Sequence, residues 1–176
     1  MTAQEFILKK QDDIDALANS VLDMAIANDC GPRGDGESCA TVITLQGELG
    51  SGKTTFTKAF AKRLGITESV TSPTFVILKR YPIPESAGIP FANLIHVDAY
   101  RVEKSSEMEK IGFQNFIKTS SEKNILCIEW PEIISDILPS GRIEMKFAHI
   151  HGPKHGLVHS APEHDESRKV TVELKV

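Results

Sequence analysis

The sequence predicts an α/β domain with a mixed, largely buried sheet flanked by helices, and three observations carry that reading. ATVITLQ (40–46) and NILCIEW (124–130) are β-branched, mostly apolar runs of the kind found in strands buried on both faces. Residues 14–25 and 56–64 carry apolar side chains at spacings of three and four, one face of a helix in each case. Further strand-like runs, two of them joined by a Pro- and Gly-containing turn, add hairpins to the buried strands and so predict a mixed sheet.

The elements follow in order along the chain. EFILK (5–9) reads as a short strand. Ile14, Leu17, Ala18, Val21, Leu22 and Ala25 then form a helical stripe, with Asp12 or Asp13 expected as its N-cap. Residues 28–39 are aperiodic and rich in Gly, Asp and Ser, so an exposed loop is expected. The buried strand 40–46 follows. Phe56, Ala59, Phe60 and Leu64 mark a helix over 53–64, which Gly65 is placed to end. TFVILKRY (74–81) and FANLIHVDAY (91–100) read as two strands around a long hairpin turn at 82–90. SSEMEKIGFQNFI (105–117) should begin as a helix capped by Ser105 or Ser106. After the buried strand 124–130, RIEMKFAHI (142–150) and RKVTVELKV (168–176) read as late strands around a polar loop at 151–168.

At 176 residues the chain suits one domain over 1–176, with a core at about 5–150. That length buries about 70% of the surface the unfolded chain exposes. A hydrophobic content of 40% and a charged content of 25% are those of a soluble globular protein. The formal net charge of −4 argues against unaided nucleic-acid binding, which shows as a basic patch or stripe. No apolar run reaches the roughly 18 residues of a membrane span, and the start lacks the features of a secretory signal. Cys30, Cys39 and Cys127 form no paired framework and no CxxC, which suits reduced thiols in the cytoplasm.

The most informative stretch is GELGSGKT (47–54), which fits G-x-x-x-x-G-K-[ST] at every fixed position. A glycine-rich surface turn is the plainer reading. The buried strand before it and the helix it opens favour a phosphate cradle instead. Gly47, Gly50 and Gly52 let successive N–H groups, with those of Leu49 and Ser51, gather around an anion at the positive end of the next helix. Lys53 can bridge the outer phosphates, the Thr54 hydroxyl can ligate Mg²⁺, and Thr55 can bond the inner phosphate. A second carboxylate is then needed near the metal. Asp98, ending NLIHVD, and Glu129, ending NILCIE, both qualify, and the residues alone do not say which is the direct ligand. No [NT]-K-x-D guanine-reading motif occurs, which favours ATP.

Other residues invite less. Five of the six histidines (His149, His151, His155, His159, His164) cluster late in the chain, but with no helical spacing and no cysteine partners they read as a solvated loop rather than a metal site. Lys79, Arg80 and Arg101 read as surface cations on a sheet edge.

GELGSGKTT, TSPTF (71–75), HVDAYR (96–101) and IEWPE (128–132), in this order and at these intervals, resemble the TsaE family. The resemblance covers roughly residues 5–150. It implies a small P-loop ATPase of bacterial tRNA threonylcarbamoyladenosine biosynthesis, working with the TsaB–TsaD complex and reaching tRNA through those partners. By motif, Lys53 would bind phosphates, and Thr54 with Glu129 would hold Mg²⁺. Asp98 would sit near the γ-phosphate, Trp130 beside the site, and Thr74 in a switch-like segment. Loop 28–39 and the His-rich stretch have no counterpart in that pattern. Two rivals share the cradle: a small-molecule kinase, which would add an Arg-rich lid, and a nucleotide-dependent binding module that does not hydrolyse ATP.

Overall fold

The computed structural model describes residues 3–29, 38–119, 122–150 and 167–175. In chain order these form β1 (Gln4–Leu8), α1 (Gln11–Ala27), β2 (Ser38–Cys39), β3 (Thr41–Gly47), α2 (Lys53–Arg63), β4 (Leu78–Pro82), β5 (Asn93–Asp98), α3 (Ser106–Lys110), α4 (Gln114–Ile117), β6 (Lys118–Thr119), β7 (Asn124–Glu129), β8 (Arg142–His149) and β9 (Arg168–Lys175). Two 3₁₀ segments, Glu85–Ala87 and Pro131–Ile137, complete the set.

Seven strands make one sheet in the order β1-β9-β8-β3-β7-β5-β4. Its centre is parallel, β3 pairing with both β7 and β8, and β7 with β5. Both edges turn antiparallel through β4 on one side and β9 and β1 on the other. Every residue of β5 and β7 is buried, as the mostly apolar run of β7 predicts, and in β5 that includes His96 among the apolar residues.

Alternation along the strands divides the core between the two faces. Ile43, Leu45, Ile125 and Cys127 pack with Leu17 and Val21 of α1 and with Phe56 and Phe60 of α2. Val42, Leu126, Ile128, Ile95 and Val97 point the other way, towards Met108, Phe113, Ile117 and Ile134. Phe56 and Phe60 are wholly buried and stacked with centroids 5.6 Å apart. Burying each ring is worth roughly 1.5–3 kcal/mol, so α2, and the loop that opens it, is anchored firmly to the sheet.

Four local expectations need correction. Helix α1 starts earlier than its apolar stripe, with Lys10 at the N-cap. Asp13 works from inside the first turn, its carboxylate accepting the N–H groups of Lys9 and Lys10 at 2.8 and 3.0 Å. The strand expected over 74–81 is confined to β4. Residues 74–77 turn instead, the Val76 and Ile77 N–H groups both donating to the Pro73 carbonyl. Phe75 and Val76 are then 84% and 66% exposed, so their apolar character marked no strand. Of the stretch expected as a loop over 28–39, residues 30–37 lie outside the described residues, and Ser38–Cys39 form β2, which pairs antiparallel with β6. Ser105 does hold the N-cap position of α3, but its hydroxyl donates to Asp136 instead of capping the helix, and the Glu107 carboxylate takes the N–H groups of Glu103 and Lys104. Gly65, at φ +82°, does end α2. Of the clustered histidines, His149 closes β8. His151, His155, His159 and His164 lie outside the described residues.

Candidate functional site

Register alone brings the functional candidates together. Leu45 on β3 and Asp98 on β5 both stand opposite Glu129 on β7, so the C-terminal ends of three neighbouring parallel strands lie level. The chain leaving β3 passes directly into the glycine loop, above the carboxylates that end β5 and β7. Open α/β sheets place their ligands in such a crevice.

The glycines meet strict local demands. Gly47, at φ +148°, has no room for a side chain: a Cβ there would stand 2.6 Å from the Phe147 carbonyl oxygen and 2.9 Å from Ser51 Oγ. Gly52, at φ +105°, is the N-cap of α2 and offers no capping side chain, so the first N–H groups of the helix are not taken by a side-chain cap.

Lys53 begins α2 and is buried, 4% exposed. Its Nζ donates to the carbonyls of Gly47 and Glu48 at 2.7 and 2.8 Å and lies 4.1 Å above the Trp130 ring. Burial lowers its pKa below the usual lysine value, and the charges of Glu129, Glu132 and Asp98 oppose that shift. The next residue, Thr54, donates through Oγ1 to the Glu129 carboxylate, 2.8 and 2.9 Å from its two oxygens. Asp98 accepts from Ser72 Oγ at 2.7 Å and Thr74 Oγ1 at 2.6 Å on one oxygen, and from the Tyr100 N–H at 3.1 Å on the other. Trp130 packs against Tyr100 with centroids 5.1 Å apart.

These groups enclose an open cleft of about 270 Å³. Leu49, Gly50, Ser51, Gly52, Lys53, Thr54 and Thr55 line one side, and Thr74, Asp98, Glu129 and Trp130 line the other. Gly47 lies at the strand end that leads into the loop. Every site residue expected from sequence is thus at or beside one cleft. The surface cations stay out of it: Lys79 pairs with Glu68, Arg80 with Glu122, and Arg101 stacks 4.3 Å from the Phe75 ring.

Sequence reasoning missed three residues. Ser72 and Tyr100 sit inside the quoted motifs without an assigned role. His96 lies fully buried in β5 with Nε2 2.9 Å from Glu129 Oε1. A histidine within an otherwise apolar, doubly buried strand was the available signal, since a buried polar group calls for a partner.

The donors available to a metal are hard oxygens: the Thr54 hydroxyl and the carboxylates of Glu129 and Asp98. Among the described residues no cluster of three or more His, Cys, Asp or Glu side chains forms a ready-made cage. Oxygen donors of this kind fit Mg²⁺, a hard cation that keeps water and substrate phosphates in its shell.

A family model described as Threonylcarbamoyl adenosine biosynthesis protein TsaE matches residues 8–155. The tRNA threonylcarbamoyladenosine biosynthesis protein TsaE of Bacillus subtilis is 41% identical over 104 residues, 59% of this chain and 59% of that protein. The protein of the same description from Streptomyces coelicolor is 37% identical over 106 residues, 60% of this chain and 66% of its own. The chain thus spans less than two thirds of the length of these relatives. The crystal structure of Bacillus subtilus YdiB superposes with a TM-score of 0.65 over 99% of this chain and 86% of that one, at 24% identity, which is a likeness of fold.

Proposed function

The chain belongs to the TsaE family, and from that premise we propose that it is a Mg²⁺-dependent ATPase required for threonylcarbamoylation of the tRNA adenosine next to the anticodon. It acts with TsaB–TsaD partners in the cytoplasm and meets tRNA through them. Among the described residues no helix is long and apolar enough to cross a membrane.

The observation that supports this most is the convergence of Lys53, Thr54 and Glu129 beneath the open N-terminus of α2. Backbone N–H groups of the loop take the phosphate oxygens, and Lys53 exchanges its two carbonyl partners for the outer phosphates. Thr54 and Glu129 hold Mg²⁺, which when bound neutralises charge developing on the phosphates. Asp98, two hydroxyls already on one oxygen, orients the attacking water near the γ-phosphate. Trp130 covers Lys53 and limits access of bulk water to it. As in P-loop switches that are slow alone, the group that completes charge stabilisation comes from the partners and the isolated chain turns over slowly.

The test is reconstitution. Phosphate release should be weak for the chain alone and faster with TsaB–TsaD, and tRNA product per complex should exceed one only with wild-type protein. Lys53→Ala should support fewer rounds. As many rounds with the variant as with wild type would refute a role for hydrolysis.

A further inference from the structure

His96 is wholly buried, on the sheet face where Leu94, Ile125 and Cys127 join the apolar core. Its register partner on β7 is Cys127, and its Nε2 stands 2.9 Å from Glu129 Oε1. An ionised carboxylate only accepts, so the hydrogen of this bond lies on Nε2. The other ring nitrogen, Nδ1, is buried and has no hydrogen-bond partner among the described residues. A buried imidazole with one nitrogen unsatisfied is a poor choice for filling space, since an apolar side chain would fill it without that cost. Its single polar contact is therefore where its value lies.

We propose that His96 is a positioning residue for Glu129: its Nε2–H occupies Oε1, fixes the carboxylate about its terminal torsion, and presents it to Thr54 in one orientation. The inference rests on the reading of Thr54 and Glu129 as the Mg²⁺-holding pair. A glutamate ends in a broad, nearly free torsion, and its oxygens must be aimed before the metal arrives if affinity is not to be lost. Thr54 supplies one restraint from α2, and His96 supplies the second from β5. Partners of this kind, one bond removed from a metal, typically change metal affinity or activity 10- to 100-fold when lost.

The experiment compares wild type with His96→Phe, which keeps a buried ring but no donor, and His96→Gln, which returns an N–H near the position of Nε2. Mn²⁺ serves as the spectroscopic probe, titrated by electron paramagnetic resonance into protein saturated with a non-hydrolysable ATP analogue. Metal-free analogue binding and the melting temperature of the free protein are measured alongside. The expected result is Mn²⁺ binding weakened about 10- to 100-fold in His96→Phe, with metal-free analogue binding unchanged and most of the loss recovered in His96→Gln. Wild-type Mn²⁺ affinity in His96→Phe would overturn the proposal, as would equal losses in both variants. A wild-type protein that adds nothing to the Mn²⁺ affinity of the analogue alone would instead remove the Thr54–Glu129 reading and this inference with it. Should His96→Phe not fold, ¹⁵N spectra of wild-type protein decide the matter: Mg²⁺ added to the analogue complex should move the His96 Nε2–H resonance, and a resonance indifferent to Mg²⁺ would refute the idea.

Discussion

Thr54 and Glu129 are 75 positions apart in sequence, yet the Thr54 hydroxyl stands 2.8 and 2.9 Å from the two oxygens of the Glu129 carboxylate. Neither local propensity nor chain proximity explains that meeting. It follows from the parallel pairing of β3 with β7, which sets Leu45 opposite Glu129 and so brings the start of α2 over the end of β7.

If the two act as one metal-holding unit, their loss should not be additive. Thr54→Ala and Glu129→Ala should each raise the Mg²⁺ concentration for half-maximal phosphate release, and the double variant should raise it by less than the product of the two. Independent, multiplying effects in a Mg²⁺ titration would separate their roles.

Lys53 supports two measurements. Lys53→Ala removes charge-assisted bonds to phosphate worth roughly 1.5–3 kcal/mol, which is about 10- to 100-fold in ATP affinity by calorimetry. The second is linkage. Burial lowers the folded-state pKa of Lys53, so between that value and the unfolded value of about 10.4 the unfolded chain binds more protons. Stability then rises with pH across this window, and the cost of burying the charge is present in full below it. In urea melts from neutral to alkaline pH, wild type should gain on Lys53→Met as pH climbs through the window. A constant gap would show that Lys53 titrates as it does in water.

Trp130 is the only tryptophan, and the Lys53 ammonium lies over its ring. Drawing Lys53 towards phosphates should take the cation off the indole and alter its emission saturably on titration with ATP–Mg²⁺. Lys53→Ala should show an altered starting spectrum and a smaller change. Emission that ignores saturating nucleotide, with binding verified independently, would contradict this placement.

Much of the site was legible because its signals are local or periodic. Three glycines with a lysine and threonine, set between a β-branched run and an amphipathic stripe, mark a strand, a loop and a helix start in turn. The doubly buried runs around Asp98 and Glu129 likewise fix where each carboxylate ends its strand. What stayed hidden depends on tertiary pairing. Residues 74–77 read as strand by composition, yet Phe75 and Val76 project into solvent and Ile77 takes φ +65°, a turn stabilised by the Pro73 carbonyl and by the grip of Asp98 on Ser72 and Thr74. The choice between Asp98 and Glu129 as metal partner was equally open in sequence. The threonine contact of Glu129, which depends on register, now favours it.

The loop held by Asp98 separates two ways in which that carboxylate can matter. Ser72 and Thr74 bond Oδ2, while the Asp98 N–H donates to the Ile77 carbonyl at 2.9 Å, so the residue restrains both halves of the 72–77 turn. Asp98→Ala removes the two charge-assisted bonds that hold the loop, each worth roughly 1.5–3 kcal/mol, together with the one from the Tyr100 N–H, and local opening should become easier without global unfolding. Chymotrypsin should then cut after the exposed Phe75 faster than in wild type, at little change in melting temperature. Turnover at saturating Mg²⁺ should fall as well. The Ser72→Ala, Thr74→Ala double variant loosens the same loop but leaves the carboxylate in place. It should match Asp98→Ala in cleavage while keeping most of the turnover if, as proposed, the carboxylate itself acts beside the γ-phosphate. If the double variant loses turnover as completely as Asp98→Ala does, Asp98 acts only by holding the loop, and its role beside the reacting phosphate must be given up.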